Sequence, residues 1–214
     1  QGLGDTIQFC RYASNLKALG AKVVMEVPEA LMNLLNNLTG VDNLVEQGTE
    51  LPYFDYHCPL LSLPLCFKTD LTSIPTPQRY LTAKADKCDE WTTRLSQKTK
   101  PRIGLVWNGN ASHKNDHNRS LSLQEMLSHL PHGYEYVSLQ KEVRDIDKDS
   151  LKDKRLKHYG DEIKDFTDTC ALCQLMDLVI SVDTSVAHLA SAIGKSTWIL
   201  LPYAPDWRWL LDRE

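Results

Sequence analysis

The sequence predicts an α/β fold of two Rossmann-like domains facing a cleft, on three observations. Leu178 to Val182 is an unbroken apolar run rich in branched residues, the pattern of a strand buried on both faces of a parallel sheet. Three good N-cap residues follow at once, Asp183, Thr184 and Ser185. After them Val186, Leu189, Ala190 and Ile193 recur at helical spacing, and Gly194 is placed to stop the helix. A second buried strand, Ser196 to Leu201, completes a βαβ unit, and the same alternation of apolar run, turn and helical stretch occurs in both halves of the chain.

In chain order, Gly2 and Gly4 form a tight loop, Asp5 or Thr6 caps a helix, and Phe9, Ala13, Leu16 and Leu19 give its buried face before Gly20. A glycine-rich loop that opens a helix normally follows a strand, so the chain is expected to be a fragment whose first domain lacks its first strand. Lys22 to Val27 predicts a strand, Pro28 to Leu38 a helix with Pro at its start, and Val41 to Val45 another strand. Phe54 to Cys58 suggests a further strand, Leu60 to Leu65 a helical turn closed by Pro64, and Thr72 to Gln78 irregular chain. After a polar helix at Asp86 to Gln97, the KTKP stretch at Lys98 to Pro101 marks the domain boundary, dividing the chain into 1–97 and 98–214.

Ile103 to Trp107 opens the second domain as a buried strand. A capping box at Ser122 and Glu125 starts a helix to about Leu130, and Tyr134 to Gln140 is the next strand. Lys141 to Arg155 is dense in both charges and is expected to be a solvated excursion. Its Asp145-Ile-Asp147 matches the DxD of metal-dependent sugar transferases, but does not lie at the end of a buried strand and is set aside. Leu156 to Tyr159 suggests a short strand, and Asp165 or Thr167 caps a helix to about Met176. The PYAPDWRWLLDRE stretch stops without a closing helix and is also expected to be cut. Trp198, Trp207 and Trp209 are expected to pack the domain, with flanking a bound ligand as the alternative.

Composition narrows the function classes. The 214 residues are 42% hydrophobic and 24% charged, ordinary for a globular protein, and a net charge of -4 offers no electrostatic case for nucleic acid or an acidic membrane surface. No apolar run approaches a membrane span and no signal-peptide pattern opens the chain, so the expected location is cytoplasmic. Six irregularly spaced cysteines do not make a disulfide framework. Cys170 and Cys173 form a CxxC inside a helical stretch whose apolar positions they continue, which favours packing, and Cys58 and Cys66 do not supply a second zinc pair.

Polar and basic groups recur after three successive strands of the second half: Asn108 to Arg119, Gln140 with Lys141, and Asp183 to His188. In a parallel sheet such groups converge on one rim. A helix start with free N–H groups suits a phosphate, to which the Thr184 and Ser185 hydroxyls would add donors. His188 lies opposite the apolar stripe of its helix, one turn in, where it could reach a bound anion. The loop from Asn108 to Ser120 carries Lys114 and Arg119 where an anionic ligand would lie. A capped helix with a surface histidine, and a loop that is merely solvated, fit the same patterns.

Four stretches, GLGDTIQF, GLVWNGNASHKNDHNRSL, SLQK and LVISVDTSVAHLASAIGKSTWILLPYAPDWRWLLDR, in this order, resemble the heptosyltransferase-like glycosyltransferase family 9 module, in the version found at the C-terminal end of bacterial tetratricopeptide-repeat proteins. The resemblance implies a GT-B fold, with an acceptor-side domain at 1–97 and a donor-binding domain at 98–214. It implies inverting transfer of a sugar, in pathways such as lipopolysaccharide biosynthesis, from a nucleotide-diphosphate donor to a glycan, lipid-linked saccharide or protein acceptor. No cofactor and no obligatory metal are implied. Asp5, behind Gly4, corresponds to the general base. Asp183, Thr184 and His188 correspond to the turn at the donor phosphates and sugar, with Asn108, Gln140, Lys141 and Ser185 beside it. Arg119, or Lys114 as second choice, corresponds to the basic residue that stabilises the departing diphosphate. Ser185 stands where heptosyltransferases usually have Gly, which alters the room beside the phosphates. A nucleotide-sugar epimerase of the same fold and a non-catalytic nucleotide-sugar or protein-binding module are the alternatives. An NAD enzyme is disfavoured, because GLGD lacks the third glycine of the dinucleotide fingerprint and Pro28 follows the next strand.

Overall fold

The computed structural model describes residues 2–210. Helix α1 spans Leu3–Phe9, so it begins before the expected caps. Gly2 is the N-cap, and Asp5 turns back from the first turn to accept the Gly2 N–H at 2.9 Å. A 3₁₀ turn at Cys10–Tyr12 joins α1 to α2, Ala13–Ala18. Its tighter winding rotates the buried face, so that Ile7, Cys10 and Ala13 enter the core while Leu19, expected inside, is 76% exposed. Gly20 follows at φ +87°.

Strands β1, Val24–Val27, and β2, Asn43–Glu46, pair in parallel around helix α3, Glu29–Leu35. The strand expected at Phe54 to Cys58 does not form. Pro52 and Pro59 bracket this run, and Tyr53 and Tyr56 stand almost fully exposed. Pro64 lies in the first turn of α4, Leu63–Cys66, so it opens a helix where it was expected to close one. Helix α5 covers Ala85–Leu95.

The second half builds one parallel sheet from β3, Arg102–Val106, β4, Glu135–Ser138, β5, Leu156–Lys157, β6, Leu178–Val182, and β7, Thr197–Leu200. The order is β5-β4-β3-β6-β7, so the winding reverses between β3 and β6. Loops leaving those two strands part at this point and leave a crevice, the place where open α/β sheets bind ligands. β3 is buried throughout, as a central strand must be. β7 was expected to be buried, but it is an edge strand with Trp198 64% exposed.

Between these strands run α6, Asp116–Arg119, α7, Leu123–His129, α8, Phe166–Leu175, and α9, Ser185–Ala192. Ser122 accepts the Glu125 N–H at 3.1 Å and Asp165 accepts the Thr167 N–H at 2.8 Å, as expected, but the capping box at Ser122 forms only this half and Thr184, the N-cap of α9, makes no side-chain cap bond. Thr167 to Cys173 is buried without interruption, because α8 is enclosed by α3, α5 and the sheet. Burial pushes the Cys170 thiol up to about 12 and raises that of Cys173, as inert packing residues require.

One apolar core runs through both halves, from Ile7, Leu31 and Leu35 through Trp91 and Leu95 to Leu172 and Leu189. Trp91 is fully buried, donates its indole N–H to Asp168 at 3.0 Å, and meets the Tyr159 ring edge-on. Trp91→Ala is expected to cost about 3–5 kcal/mol of unfolding free energy, read from urea denaturation. A loss below about 1 kcal/mol would show that this part of the core does not hold the fold. None of the helices among the described residues is long and apolar enough to cross a membrane.

Candidate active site

The β3–β6 register aligns Val106 with Ser181, so Asn108 and Asp183 follow at one level on either side of the crevice. Asn108 is buried. Its Nδ2 donates to Asp147 at 3.3 Å, and its Oδ1 accepts from Gln140 Nε2 at 2.9 Å. Two of the three expected rim loops are thereby joined by a hydrogen bond. Arg119 supplies the next link, donating Nη1–H to the Asp183 carbonyl at 2.9 Å. Its guanidinium lies so close to Gly109 that a Cβ there would stand 2.7 Å from Nη2.

The short helix α6 serves this arginine. Asp116 accepts from Ser120 Oγ at 2.8 Å and from Arg144 Nη2 at 2.5 Å, and lies 3.7 Å from Arg119 Nε. Against the penalty of burial, the Ser120 and Arg144 hydrogen bonds hold its carboxyl below the usual range. Lys114, by contrast, is exposed on the same loop, and Lys141 turns away to donate to the Lys164 carbonyl at 2.9 Å. Neither lysine is drawn into the cluster formed by Asn108, Arg119 and Asp183.

At the turn itself, Thr184 Oγ1 pairs with Ser181 Oγ at 3.1 Å. Burial raises the Asp183 carboxyl, and Trp209 Nε1–H and Arg119 beside it oppose that rise; the indole falls short of a well-formed hydrogen bond. His188 faces away from the sheet, as its helical position predicts, but it is buried, 6% exposed. The ring lies against α1, where a Cβ on Gly4 would come within 2.8 Å of His188 Cδ2. Glycine is therefore required at position 4 for the two halves to approach this closely. On its other side His188 stacks on Trp209, with centroids 4.6 Å apart and planes at 12°. Burial, with a smaller contribution from Arg11, lowers its pKa to about 4, so the imidazole is neutral near pH 7.

Asp5 reaches the same place from α1. It ion-pairs with Arg208 Nη1, and Arg208 Nε donates to Asp206 at 2.7 Å. The 3₁₀ turn Trp207–Trp209 thus lies over the crevice, with Trp207 itself 65% exposed and Trp209 on the histidine. The tryptophans were expected to pack the domain; Trp198 and Trp207 are instead mainly exposed. The pairing of Arg208 with Asp5 is what the sequence reading missed. Its signal was a cation set between two tryptophans in Asp206-Trp-Arg-Trp, where packing alone calls for no charge. Two cavities, about 360 Å³ beside Arg79, Gln174 and Lys195 and about 340 Å³ beside Arg11, Leu38 and Tyr80, are lined by none of these residues.

Among the described residues, four buried side-chain polar atoms have no hydrogen-bond partner: Gln8 Oε1, Arg119 Nε, Gln140 Oε1 and Trp209 Nε1. Such atoms cost roughly 1–3 kcal/mol each and are rare in a folded chain. Three of them belong to this rim, and Gln8 lies one turn beyond Gly4 on α1. The DxD stretch behaves differently. Asp147, expected in a solvated run, is buried, and it accepts from Trp107 Nε1 at 3.0 Å and from the Leu123 N–H at 2.7 Å besides Asn108. Its carboxylate is committed to holding the β3 end and the start of α7.

No family model and no curated protein matches the sequence. Among solved structures, the chain is similar to a glycosyl transferase family 9 protein from Veillonella parvula, at TM-score 0.64 and 12% identity, covering 95% of this chain and 80% of that one. It is also similar to the E. coli ADP-heptose LPS heptosyltransferase II, at TM-score 0.55 and 11% identity, covering 93% and 82%. The parallel α/β architecture of this chain is thus a fold shared with glycosyltransferase family 9 structures.

Proposed function

We propose that the protein is an inverting, metal-independent glycosyltransferase that moves a sugar from a nucleotide-diphosphate donor to an acceptor hydroxyl. The observation that carries this reading is the gathering of Arg119 and the Trp209 indole at the Asp183 turn, on the switch point of a parallel sheet, where Arg119 Nε, 3.7 Å from Asp116, and Trp209 Nε1, beside Asp183, are buried without a well-formed hydrogen bond. A donor diphosphate would supply better-placed acceptors. Gln140 Oε1 and Gln8 Oε1, acceptors without donors, suit the hydroxyls of a sugar. The fold shared with glycosyltransferase family 9 structures supports the same reading.

In this mechanism Asp5 takes the proton of the acceptor hydroxyl as its oxygen attacks the anomeric carbon. The bond from that carbon to the diphosphate oxygen breaks, and configuration inverts. Arg119 neutralises the charge gathering on the diphosphate, with Lys114 in reserve on the same loop. Asp183, Thr184, Ser185 and His188 hold donor phosphate and sugar, and Asn108 and Gln140 line the adjoining rim, with Lys141, bonded to the Lys164 carbonyl, turned away from it. Residues 1–97 would form the acceptor side, and 98–214 the donor side. A glycan, a lipid-linked saccharide or a protein would present the hydroxyl.

Calorimetric titration with ADP, UDP and GDP tests the reading. One of them should bind saturably, and His188→Ala should weaken it about 10-fold or more through loss of a hydrogen bond to a charged group. Absence of binding by the folded protein to all three would overturn the proposal.

A further inference from the structure

Arg208 bridges two carboxylates, Asp5 through Nη1 and Asp206 through Nε, and its backbone N–H also binds Asp206 at 3.0 Å. The side chain is only 18% exposed. The turn that carries it is fixed at both ends of the crevice. Trp207 lies against Phe9 of α1 with ring centroids 6.3 Å apart, and Trp209 stacks on His188 of α9. Arg119 reaches the Asp183 carbonyl from the β3 loop. Arg119 thus holds the Asp183 turn from one side, while Arg208 sits on the carboxylate proposed as base, and its neighbours Asp206 and Trp209 lie beside Asp183.

We propose that Arg208 is a cation shared between Asp5 and the donor diphosphate, exchanging its pair with the carboxylate for the phosphates when the nucleotide sugar binds. This inference rests on the transferase reading above. A carboxylate engaged by a guanidinium has its lone pairs occupied and is a poor proton acceptor. A diphosphate carries more negative charge than one carboxylate and presents oxygens that match the guanidinium fork, so it wins the exchange. Donor binding thereby frees Asp5, and the base becomes available only when there is a sugar to transfer.

The alternative is that Arg208 merely plugs the crevice, and the two make opposite predictions. The unaltered chain, Arg208→Ala and Arg208→Lys are titrated with ADP, UDP and GDP, and with the nucleoside matching the diphosphate that binds. Arg208→Ala should weaken the diphosphate about 10- to 100-fold, the usual loss of a hydrogen bond between charged groups, and leave the nucleoside unchanged. Arg208→Lys should restore most of the diphosphate affinity. Diphosphate binding that is equal or tighter in both variants would overturn the proposal and leave the transferase reading standing. So would a loss shared equally by diphosphate and nucleoside, which marks a structural role. If the folded, unaltered chain binds none of the three diphosphates, the transferase reading fails and this inference fails with it. Circular dichroism establishes folding for each variant, and if Arg208→Ala does not fold, Arg208→Gln, which keeps the length without the charge, carries the test with the same expected loss for the diphosphate and none for the nucleoside.

Discussion

Asp5→Asn should lower turnover by about 10²- to 10⁴-fold, the range for loss of a positioned general base. The assay is release of the nucleoside diphosphate from the nucleotide sugar identified by titration. Asparagine keeps the shape of the side chain and an oxygen to accept the Gly2 N–H, so the first turn of α1 should survive. The ion pair with Arg208 is lost, and because both side chains are largely buried this change carries a stability cost of its own, which urea denaturation reads separately from turnover. Donor affinity should be retained or improved, because Arg208 loses the partner that competes with the phosphates. A fall in kcat with donor affinity intact separates loss of chemistry from loss of binding. Turnover within about tenfold of the unaltered chain would remove Asp5 from the mechanism.

The second large effect concerns stability. Asp147→Ala should cost about 3–5 kcal/mol, since it strips the acceptor from the Trp107 indole, the Asn108 amide and the Leu123 N–H. Each buried donor left unsatisfied costs about 1–3 kcal/mol, and the three share one site, so their losses do not simply add. Asp145→Ala is the control. Its side chain is 94% exposed and among the described residues pairs only with Lys148, so the change should stay within about 0.5 kcal/mol. Urea denaturation of both variants reads the difference. Equal, small effects would show that Asp147 is not the anchor its contacts describe. Because Asn108 loses its hold along with Trp107, nucleoside diphosphate affinity should fall in Asp147→Ala and not in Asp145→Ala. A DxD that bound a metal would instead make both aspartates matter.

The two variants mark the line between local and distant information. β6, the helix after it and the stop at Gly194 lie within windows of a few turns, where apolar spacing and capping residues dictate structure. The Ser122 and Asp165 caps were legible for the same reason. So was the rim, because polar residues following buried strands must gather at one edge of a parallel sheet. Leu19 was misread within such a window, because a 3₁₀ turn changes the winding that the spacing assumes. Phe54 to Cys58 was misread because a strand needs a partner, and its own pattern does not say whether one is there.

Partnerships across the chain were out of reach of the sequence. Asn108 meets Gln140 across 32 residues, Arg119 meets the Asp183 carbonyl across 64, and Asp5 meets Arg208 across 203. Strand order and the packing of α1 on α9 set these pairs, and no local periodicity encodes them. The sequence by itself determined the α/β class, the positions of its central strands and the edge on which its polar loop residues collect. Only the tertiary structure decided that Asp147 is buried, that β7 is an edge and that Arg208 rests on Asp5, because burial and charge pairing depend on which distant segments the fold brings into contact.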